Sequence, residues 1–376
     1  MEAFHRQHDV PSHSVLLLDS AEEARAFPRG DIELALCRTC GFVANAAVDE
    51  SLQAYSSRCE ETQAFSPRFR AFAEDLAGRL VERYDVRGKT VLEIGCGKGE
   101  FLTALCERGA NRGIGIDPAV IPERISQPAN GSVEVIRDYY DERHADLGAD
   151  VVLCRHTLEH IPRTLDFLEL IMRSHAGAAL LLFELPDVGR VLREGAFWDV
   201  YYEHCSYFTP GSLARLFRRA GCTPVELELE FDDQYIVVAA QAGREGREPL
   251  ALEDAAQEVA ELATGFARKV ERSIREWSER LRGVTGAGGH VALWGSGSKA
   301  VSFLANVPGA DRIAAVVDVN PHRHGRFLPG NGIEVLAPAR VKDLRPELVI
   351  AMNPAYLDEI GADLGAMGLS PELVAL

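Results

Sequence analysis

Val91-Leu92-Glu93-Ile94-Gly95-Cys96-Gly97-Lys98-Gly99-Glu100-Phe101 decides the fold of this chain. An apolar, β-prone run ends in three glycines at alternate positions and then turns helical, the pattern of a nucleotide-binding loop between a strand and a helix. Glycine at 95, 97 and 99 permits a tight turn and close approach of backbone to a ligand, while Glu93 sets a carboxylate at the strand's end. The spacing differs from the dinucleotide fingerprint. A second short strand, Gly113-Ile114-Gly115-Ile116-Asp117, ends in an acid 18 residues beyond Gly99, and Asp117 is read as the acceptor for ribose hydroxyls. Glycine-rich turns alone are common; an acid-led loop paired with an acid-ended strand points to a bound cofactor.

Working outward, Ser66-Pro67 opens a helix with an N-cap and a first-turn proline, and Phe69, Phe72, Leu76, Leu80 and Tyr84 recur at helical spacing. Strand and helix signals then alternate through Thr90–Ile94, 101–107, 111–116, 133–136, 150–154, 164–174 and 179–183, as a doubly wound parallel α/β sheet requires. Between 248 and 281, Leu252, Val259, Phe266, Val270, Ile274, Trp277 and Leu281 form the apolar stripe of one long amphipathic helix, ended by Gly286-Ala287-Gly288-Gly289. Val291 to Ala300 starts a second strand, glycine loop and helix, with Asp318 after its second strand. Gly295 to Asp318 spans 23 residues against 22 from Gly95 to Asp117, so the chain repeats a Rossmann-type unit. The expected organisation is an N-terminal segment at 1–62, a cofactor-binding domain at 63–242, a linker helix at 243–286 and a smaller C-terminal Rossmann-like domain at 287–376.

A length of 376 residues suits two or three domains. The formal charge of −17 argues against a nucleic-acid or anionic-membrane partner, because net negative potential repels phosphate. No stretch reads as a secretory signal or a membrane span, so a cytoplasmic protein with eight reduced cysteines is expected. The helix at 248–281 could pack within the chain or against another copy, which leaves oligomeric state open.

A second concentration of chemistry is Trp198-Asp199-Val200-Tyr201-Tyr202-Glu203-His204-Cys205-Ser206-Tyr207-Phe208. A candidate base of near-neutral pKa, a carboxylate to orient it and phenols able to donate to an oxyanion fall close together here. Core packing explains the aromatics, but not Glu203 beside His204 between them. Upstream, Cys154-Arg155-His156-Thr157-Leu158-Glu159-His160 sets two histidines at i and i+4, one face of a helix if the segment is helical. His156 is a candidate for the donor pocket and an alternative base; a metal pair is the weaker reading, for want of a third ligand.

The loop at 93–99 resembles motif I of the class I S-adenosylmethionine-dependent methyltransferases. That resemblance implies S-adenosylmethionine held by Glu93, Gly95, Gly97, Gly99 and Asp117, with Asp138 and Tyr139, at the end of the third strand, beside adenine. Leu158-Glu159-His160 resembles the "LEH" motif of many small-molecule methyltransferases. Tyr201-x-Glu203-His204-x-x-Tyr207-Phe208 resembles the central motif of the deoxysugar C-methyltransferases, which act on nucleotide-linked keto-sugars, and Gln234-Tyr235-Ile236 resembles a strand of the same family. The resemblance implies His204 as base, with Tyr201 and Glu203 beside it in the substrate site. We add Tyr202, Tyr207 and Lys299 as substrate-binding candidates. Lys299 stands at the second loop's helix start, which favours an anion there.

The family also carries an N-terminal zinc segment with two cysteine pairs; this chain has one, Cys37 and Cys40. A closed tetrahedral zinc needs two further ligands, for which His5, His8, His13 and Cys59 are the nearby candidates, and a metal-free pair is the alternative. The second loop, with Gly295, Gly297 and Asp318, reads either as a dinucleotide site or as a duplicated fold holding substrate phosphate or nothing, the reading preferred here. The expected function is methylation of a small molecule, a nucleotide keto-sugar at carbon or a related biosynthetic intermediate. The alternatives are oxygen or nitrogen methylation of a natural product, and a binding protein that keeps the fold without turnover.

Overall fold

In the computed structural model, which describes residues 1–53, 55–175, 179–242 and 248–376, three sheets are built in succession. The expected start of the linker at 243 lies outside the described residues. The N-terminal sheet begins with β1 (Glu2–Pro11), β2 (Arg29–Leu36) and β3 (Val43–Asn45), with the short helix α1 (Ala21–Arg25) between the first two.

Next comes α2 (Pro67–Tyr84), opened as expected by Ser66, whose Oγ accepts from the Phe69 N–H at 3.1 Å. The alternating run gives β4 (Thr90–Ile94), α3 (Glu100–Gly109), β5 (Arg112–Ile116), β6 (Ser132–Ile136), β7 (Val151–Arg155), α4 (Thr164–Ser174) and β8 (Leu180–Pro186). Then follow α5 (Val188–Glu194), β9 (Ser206–Tyr207), α6 (Pro210–Arg219), β10 (Cys222–Glu230) and β11 (Tyr235–Ala242). Strand β9 leaves this domain and pairs antiparallel with β3, completing the first sheet in the order β1-β2-β3-β9.

The central sheet runs β10-β11-β8-β7-β4-β5-β6. Five strands are parallel, whereas β11 returns antiparallel beside β8 and makes a hairpin with β10. Its strands are apolar on both faces, as helices on both sides demand: Leu92, Ile114 and Val152 pack on one side, Val91, Val133 and Leu153 on the other.

The long helix α7 (Ala256–Gly286) begins later than expected; Leu252 precedes it and is exposed. It buries Val259, Phe266, Val270 and Leu281 in a core shared with β1–β3, α5 and the C-terminal sheet. Each such side chain contributes about 1.5–3 kcal/mol, which holds a helix that would be marginal alone. The last sheet comprises β12 (Val291–Trp294), β13 (Ala315–Val317), β14 (Val335–Leu336), β15 (Leu348–Ala351) and β16 (Glu372–Ala375), with α8 (Ser298–Asn306), α9 (Val341–Leu344) and α10 (Leu357–Ala366). It is wholly parallel, in the order β14-β13-β12-β15-β16. Among the described residues no helix is long and apolar enough to cross a membrane.

Candidate active site

The two parallel sheets turn their carboxyl ends toward one shared cavity of about 1120 Å³. Gly95, Asp117, Asp138 and His156 reach it from one side, Gly295, Asp318 and Asn353 from the other, and His13, Tyr55 and Cys59 from the N-terminal segment. Carboxyl ends of strands are where ligands of open α/β sheets bind. Across the cavity's flank, Gln234 and Asn353 exchange two amide hydrogen bonds of 2.8 and 3.1 Å, tying the two units together.

The first loop needs its glycines. Gly95 has φ +74°, and a Cβ there would stand 1.9 Å from Thr157 Oγ1; at Gly97, with φ +54°, it would stand 2.8 Å from Glu61 Oε1. Asp117 ties the loop down by accepting from the Gly97 N–H at 2.9 Å and the Ala119 N–H at 2.6 Å, one on each oxygen, which leaves lone pairs for hydroxyl donors. Glu93 is buried with Oε2 lacking any partner, and burial pushes its carboxyl up to about 8. A buried acid short of a donor fits a cationic amine, so this loop fits the amino acid and ribose of S-adenosylmethionine. Asp138 and Tyr139 follow β6 into the cavity rim, Asp138 paired with Arg143 at 2.9 Å and Tyr139 exposed.

The stretch 197–208 divides its side chains between cavity and core. Tyr201, Glu203 and His204 line the cavity. Tyr201 donates its hydroxyl to Asp199 Oδ1 at 2.9 Å, and Asp199 is held in turn by Arg190 and by Lys299 at 2.8 Å. Burial would raise the Asp199 carboxyl, but the two cations hold it down at about 2. Glu203 Oε1 accepts from the Ser14 N–H at 3.0 Å and from the Ser14 hydroxyl, while Oε2 is buried without a partner. Tyr202 and Tyr207 do not line the cavity, contrary to expectation. The Tyr202 hydroxyl accepts from the Asp49 N–H at 2.8 Å with its ring against Gly30, and Tyr207 bridges the Tyr201 backbone. Lys299 lines the cavity but is committed to Asp199, so it is an ion-pair partner and not the free anion ligand expected.

The histidines also differ from their sequence reading. His156 has φ +47° and precedes a single 3₁₀ turn, Leu158–His160, so the two rings do not share a helix face. Its Nε2 lies 3.1 Å from Glu184 and its Nδ1 3.7 Å from Glu159. Burial would lower this imidazole, but the two carboxylates outweigh it and hold it at about 9, protonated and unsuited to act as base. His160 Nδ1 lies 3.2 Å from the Glu203 carbonyl and 2.6 Å from the Tyr55 hydroxyl. The contact with Tyr55 is the shorter of the two, and the His160 tautomer decides whether the Tyr55 hydroxyl donates there or accepts. His204 has no side-chain hydrogen bond among the described residues and stands edge-on to His160 and Tyr201. Burial, reinforced by His160, pushes it down to about 3, far from the near-neutral value expected. Glu159, His160 and His204 bring ligand atoms within 4.8 Å of one another.

Zinc finds no complete set at Cys37 and Cys40. The pair sits on the turn between β2 and β3, while His5 packs on Phe266, His8 binds Asp31 at 3.0 Å and His13 faces Cys59 at 3.9 Å. Among the described residues no third ligand joins the two thiols, so a closed four-ligand site does not fit.

The second loop copies the first in outline. Asp318 Oδ2 accepts from the Ser296 N–H at 2.8 Å, as Asp117 does from Gly97, but it also takes the Ser296 hydroxyl. Arg323 then donates to the Ser296 carbonyl at 2.9 Å. Sequence reasoning missed Ser14, Tyr55 and Asp199 as members of the site; only Asp199, inside the quoted stretch, carried a local signal.

The methyltransferase-domain family matches residues 65–227, and the C-methyltransferase C-terminal domain family matches residues 240–368. The C-methyltransferase NovU of Streptomyces niveus is 29% identical over 303 residues, 76% of this chain and 71% of that protein. A ubiquinone biosynthesis O-methyltransferase of Pseudomonas aeruginosa is 39% identical over 87 residues, 22% of this chain and 37% of that enzyme. Among solved structures, the 1,6-didemethyltoxoflavin-N1-methyltransferase of Burkholderia thailandensis, with S-adenosylhomocysteine bound, is 19% identical, with a TM-score of 0.35, covering 46% of this chain and 79% of that one. With a class I methyltransferase domain at 65–227, its acid-led glycine loop on β4, and a C-methyltransferase C-terminal domain at 240–368, the chain is an S-adenosylmethionine-dependent methyltransferase.

Proposed function

We propose that the protein methylates a carbon beside a ketone, and that the acceptor is a nucleotide-linked keto-sugar of natural-product biosynthesis. The observation that carries this reading is the place of His204: its imidazole makes no side-chain hydrogen bond among the described residues and stands in the wall of the same cavity as the cofactor loop. The C-methyltransferase domain and the likeness to NovU support carbon as the accepting atom. When bound, the cofactor supplies an electrophilic methyl group on a sulfonium.

Glu93 takes the cofactor's ammonium, Asp117 its ribose hydroxyls, and Asp138 with Tyr139 borders its adenine. His204 takes the proton from the acceptor carbon onto a ring nitrogen, and the carboxylates of Glu159 and Asp199 favour the resulting imidazolium. The electron pair left behind delocalises onto the ketone oxygen, which the Tyr55 hydroxyl stabilises while His160 Nδ1–H donates to the Tyr55 oxygen. Tyr201 cannot serve there, because a phenol has one proton and Asp199 receives it. The lining cations Lys98, Arg155, Arg190, Lys299 and Arg323 are each bonded to a carboxylate or a carbonyl. Arg70, also in the wall, has no side-chain partner among the described residues and is the cation we assign to a diphosphate.

The test is turnover against nucleotide keto-sugars and ordinary hydroxyl and amine acceptors, with methyl-labelled S-adenosylmethionine and assignment of the methylated atom. A new carbon–carbon bond is expected. Methyl on oxygen or nitrogen, or equal turnover of unphosphorylated sugars, would overturn the acceptor reading.

A further inference from the structure

The second glycine loop has no evident cofactor role, yet its first helical residues all reach one place. Lys299 Nζ lies 2.8 Å from Asp199, which accepts the Tyr201 hydroxyl. Ser298 Oγ lies 2.7 Å from Ser14 Oγ, and Ser14 gives Glu203 both its N–H and its hydroxyl proton. One turn on, Ser302 donates to the carbonyls of Phe197 and Val200 at 3.0 and 3.3 Å. Positions i, i+1 and i+4 of a single helix therefore grip the backbone and both acidic partners of the stretch that ends in His204.

The second loop offers a nucleotide less than the first. Asp318, where a ribose acceptor would stand, spends Oδ2 on the Ser296 N–H and hydroxyl and Oδ1 on the Asn320 N–H at 2.8 Å, one bond more than Asp117 carries. Arg323 fixes the Ser296 carbonyl from behind. The lysine at this helix start is spent on a protein carboxylate, Asp199.

We propose that Ser298 and Lys299, at the tip of the second glycine loop, are positioning residues of the C-terminal unit: Lys299 orients Tyr201 through Asp199, and Ser298 orients Glu203 through Ser14. The inference rests on the proposed role of His204, whose ring stands edge-on to Tyr201 and whose chain neighbour is Glu203. It gives the duplicated unit a task in catalysis that needs no ligand of its own. Without Lys299, Asp199 answers to Arg190 alone and turns the phenol with it.

The experiment compares Lys299→Met, Lys299→Arg and Ser298→Ala in the full chain, each first checked for folding by circular dichroism. Lys299→Met is expected to lower kcat by up to about 10²-fold, the usual scale for misplacing a reacting group, with KM for the acceptor and affinity for S-adenosylmethionine nearly unchanged. Its kcat profile should also show an acid limb displaced to higher pH, because Asp199 has lost a cation; a purely structural role would not move it. Lys299→Arg should restore most of kcat. Ser298→Ala should lower kcat without moving that limb, and it carries the test if Lys299→Met does not fold.

A raised acceptor KM with kcat intact would make Lys299 a substrate ligand and overturn the proposal. Wild-type rates in Lys299→Met and Ser298→Ala would overturn it equally. Should the wild type turn over no keto-sugar, the acceptor reading fails by itself, and 3-fluorotyrosine at position 201 still reports: its ¹⁹F resonance should shift in Lys299→Met and return in Lys299→Arg. An unmoved resonance would sink the positioning role.

Discussion

His160 stands edge-on to His204, ring centroids 4.7 Å apart and planes at 90°, and after burial it is the main influence that disfavours a proton on His204. His204 is thus deprotonated throughout the physiological range in the ligand-free site, and its strength as a base depends on Glu159 and Asp199, which favour the imidazolium. Asparagine at 204 keeps a hydrogen-bonding side chain of similar reach but cannot act as base. Cofactor affinity should hold while turnover falls by about 10²–10⁴, the range for losing a positioned base. The same variant should fail to exchange the acceptor's α-proton for deuterium, and the wild-type kcat/KM profile should lack an inflection near the ordinary imidazole value. Exchange retained in the variant would place the base elsewhere.

Asp117→Ala and Gly97→Val should each weaken S-adenosylmethionine binding in calorimetry. The first removes charge-assisted hydrogen bonds worth about 1.5–3 kcal/mol and also frees the Gly97 N–H; the second forces a side chain onto Glu61 at φ +54°. Unchanged affinity in both would remove the loop from the cofactor site.

Two buried histidines should each cost the fold stability in acid. His5 and His13 are buried, and burial lowers each imidazole from 6.5 to about 4. Because the folded values lie below the unfolded one, the unfolded chain binds the protons first. Their contribution is complete above pH 6.5 and is lost as pH falls from 6.5 toward 4, at most about 3 kcal/mol each. His156, raised to about 9, acts oppositely: its contribution is complete below 6.5 and lost as pH rises through 9. Glu93, raised to about 8, and Glu61, raised to about 7, take up protons in the folded chain over the same window and offset this loss, so the histidine contribution is read as a difference. From about pH 7 to about pH 5 the urea midpoint of the wild type should fall relative to that of His13→Gln; an unchanged difference would contradict the burial argument.

Metal analysis of the purified protein should give well under one equivalent of zinc, because Cys37 and Cys40 lack further ligands among the described residues. One equivalent retained against a chelator and abolished by Cys37→Ser would show that another arrangement completes the site.

What the sequence disclosed is what short-range order encodes. The loop at 93–99, the capped helix at Ser66 and the alternation of strands and helices each follow from neighbours within a turn or two. The site was legible only where it shared that property. Tyr201 to His204 lies in an irregular stretch with neither helical nor strand period, so facing is set by distant partners: Ser14 is 189 positions from Glu203, Asp49 is 153 from Tyr202 and Lys299 is 100 from Asp199. Tyr202 and Tyr207 look equivalent to Tyr201 in sequence, yet they enter the core. The i, i+4 histidines misled for a related reason: His156 takes a left-handed conformation before a one-turn helix, and spacing alone cannot report that.

Strand β9 begins two residues after His204 and gives its hydrogen bonds to β3, in the sheet made by the first 45 residues of the chain. Cutting the protein near residue 62 would strip that pairing and leave an unpaired edge beside His204. The excised middle piece would keep every residue of the cofactor loop and still tend to self-associate through that edge. Anyone seeking a minimal transferase from this chain should shorten it from neither side of β9; its smallest working unit is defined by a strand exchange, and a map of domains drawn along the sequence does not contain it.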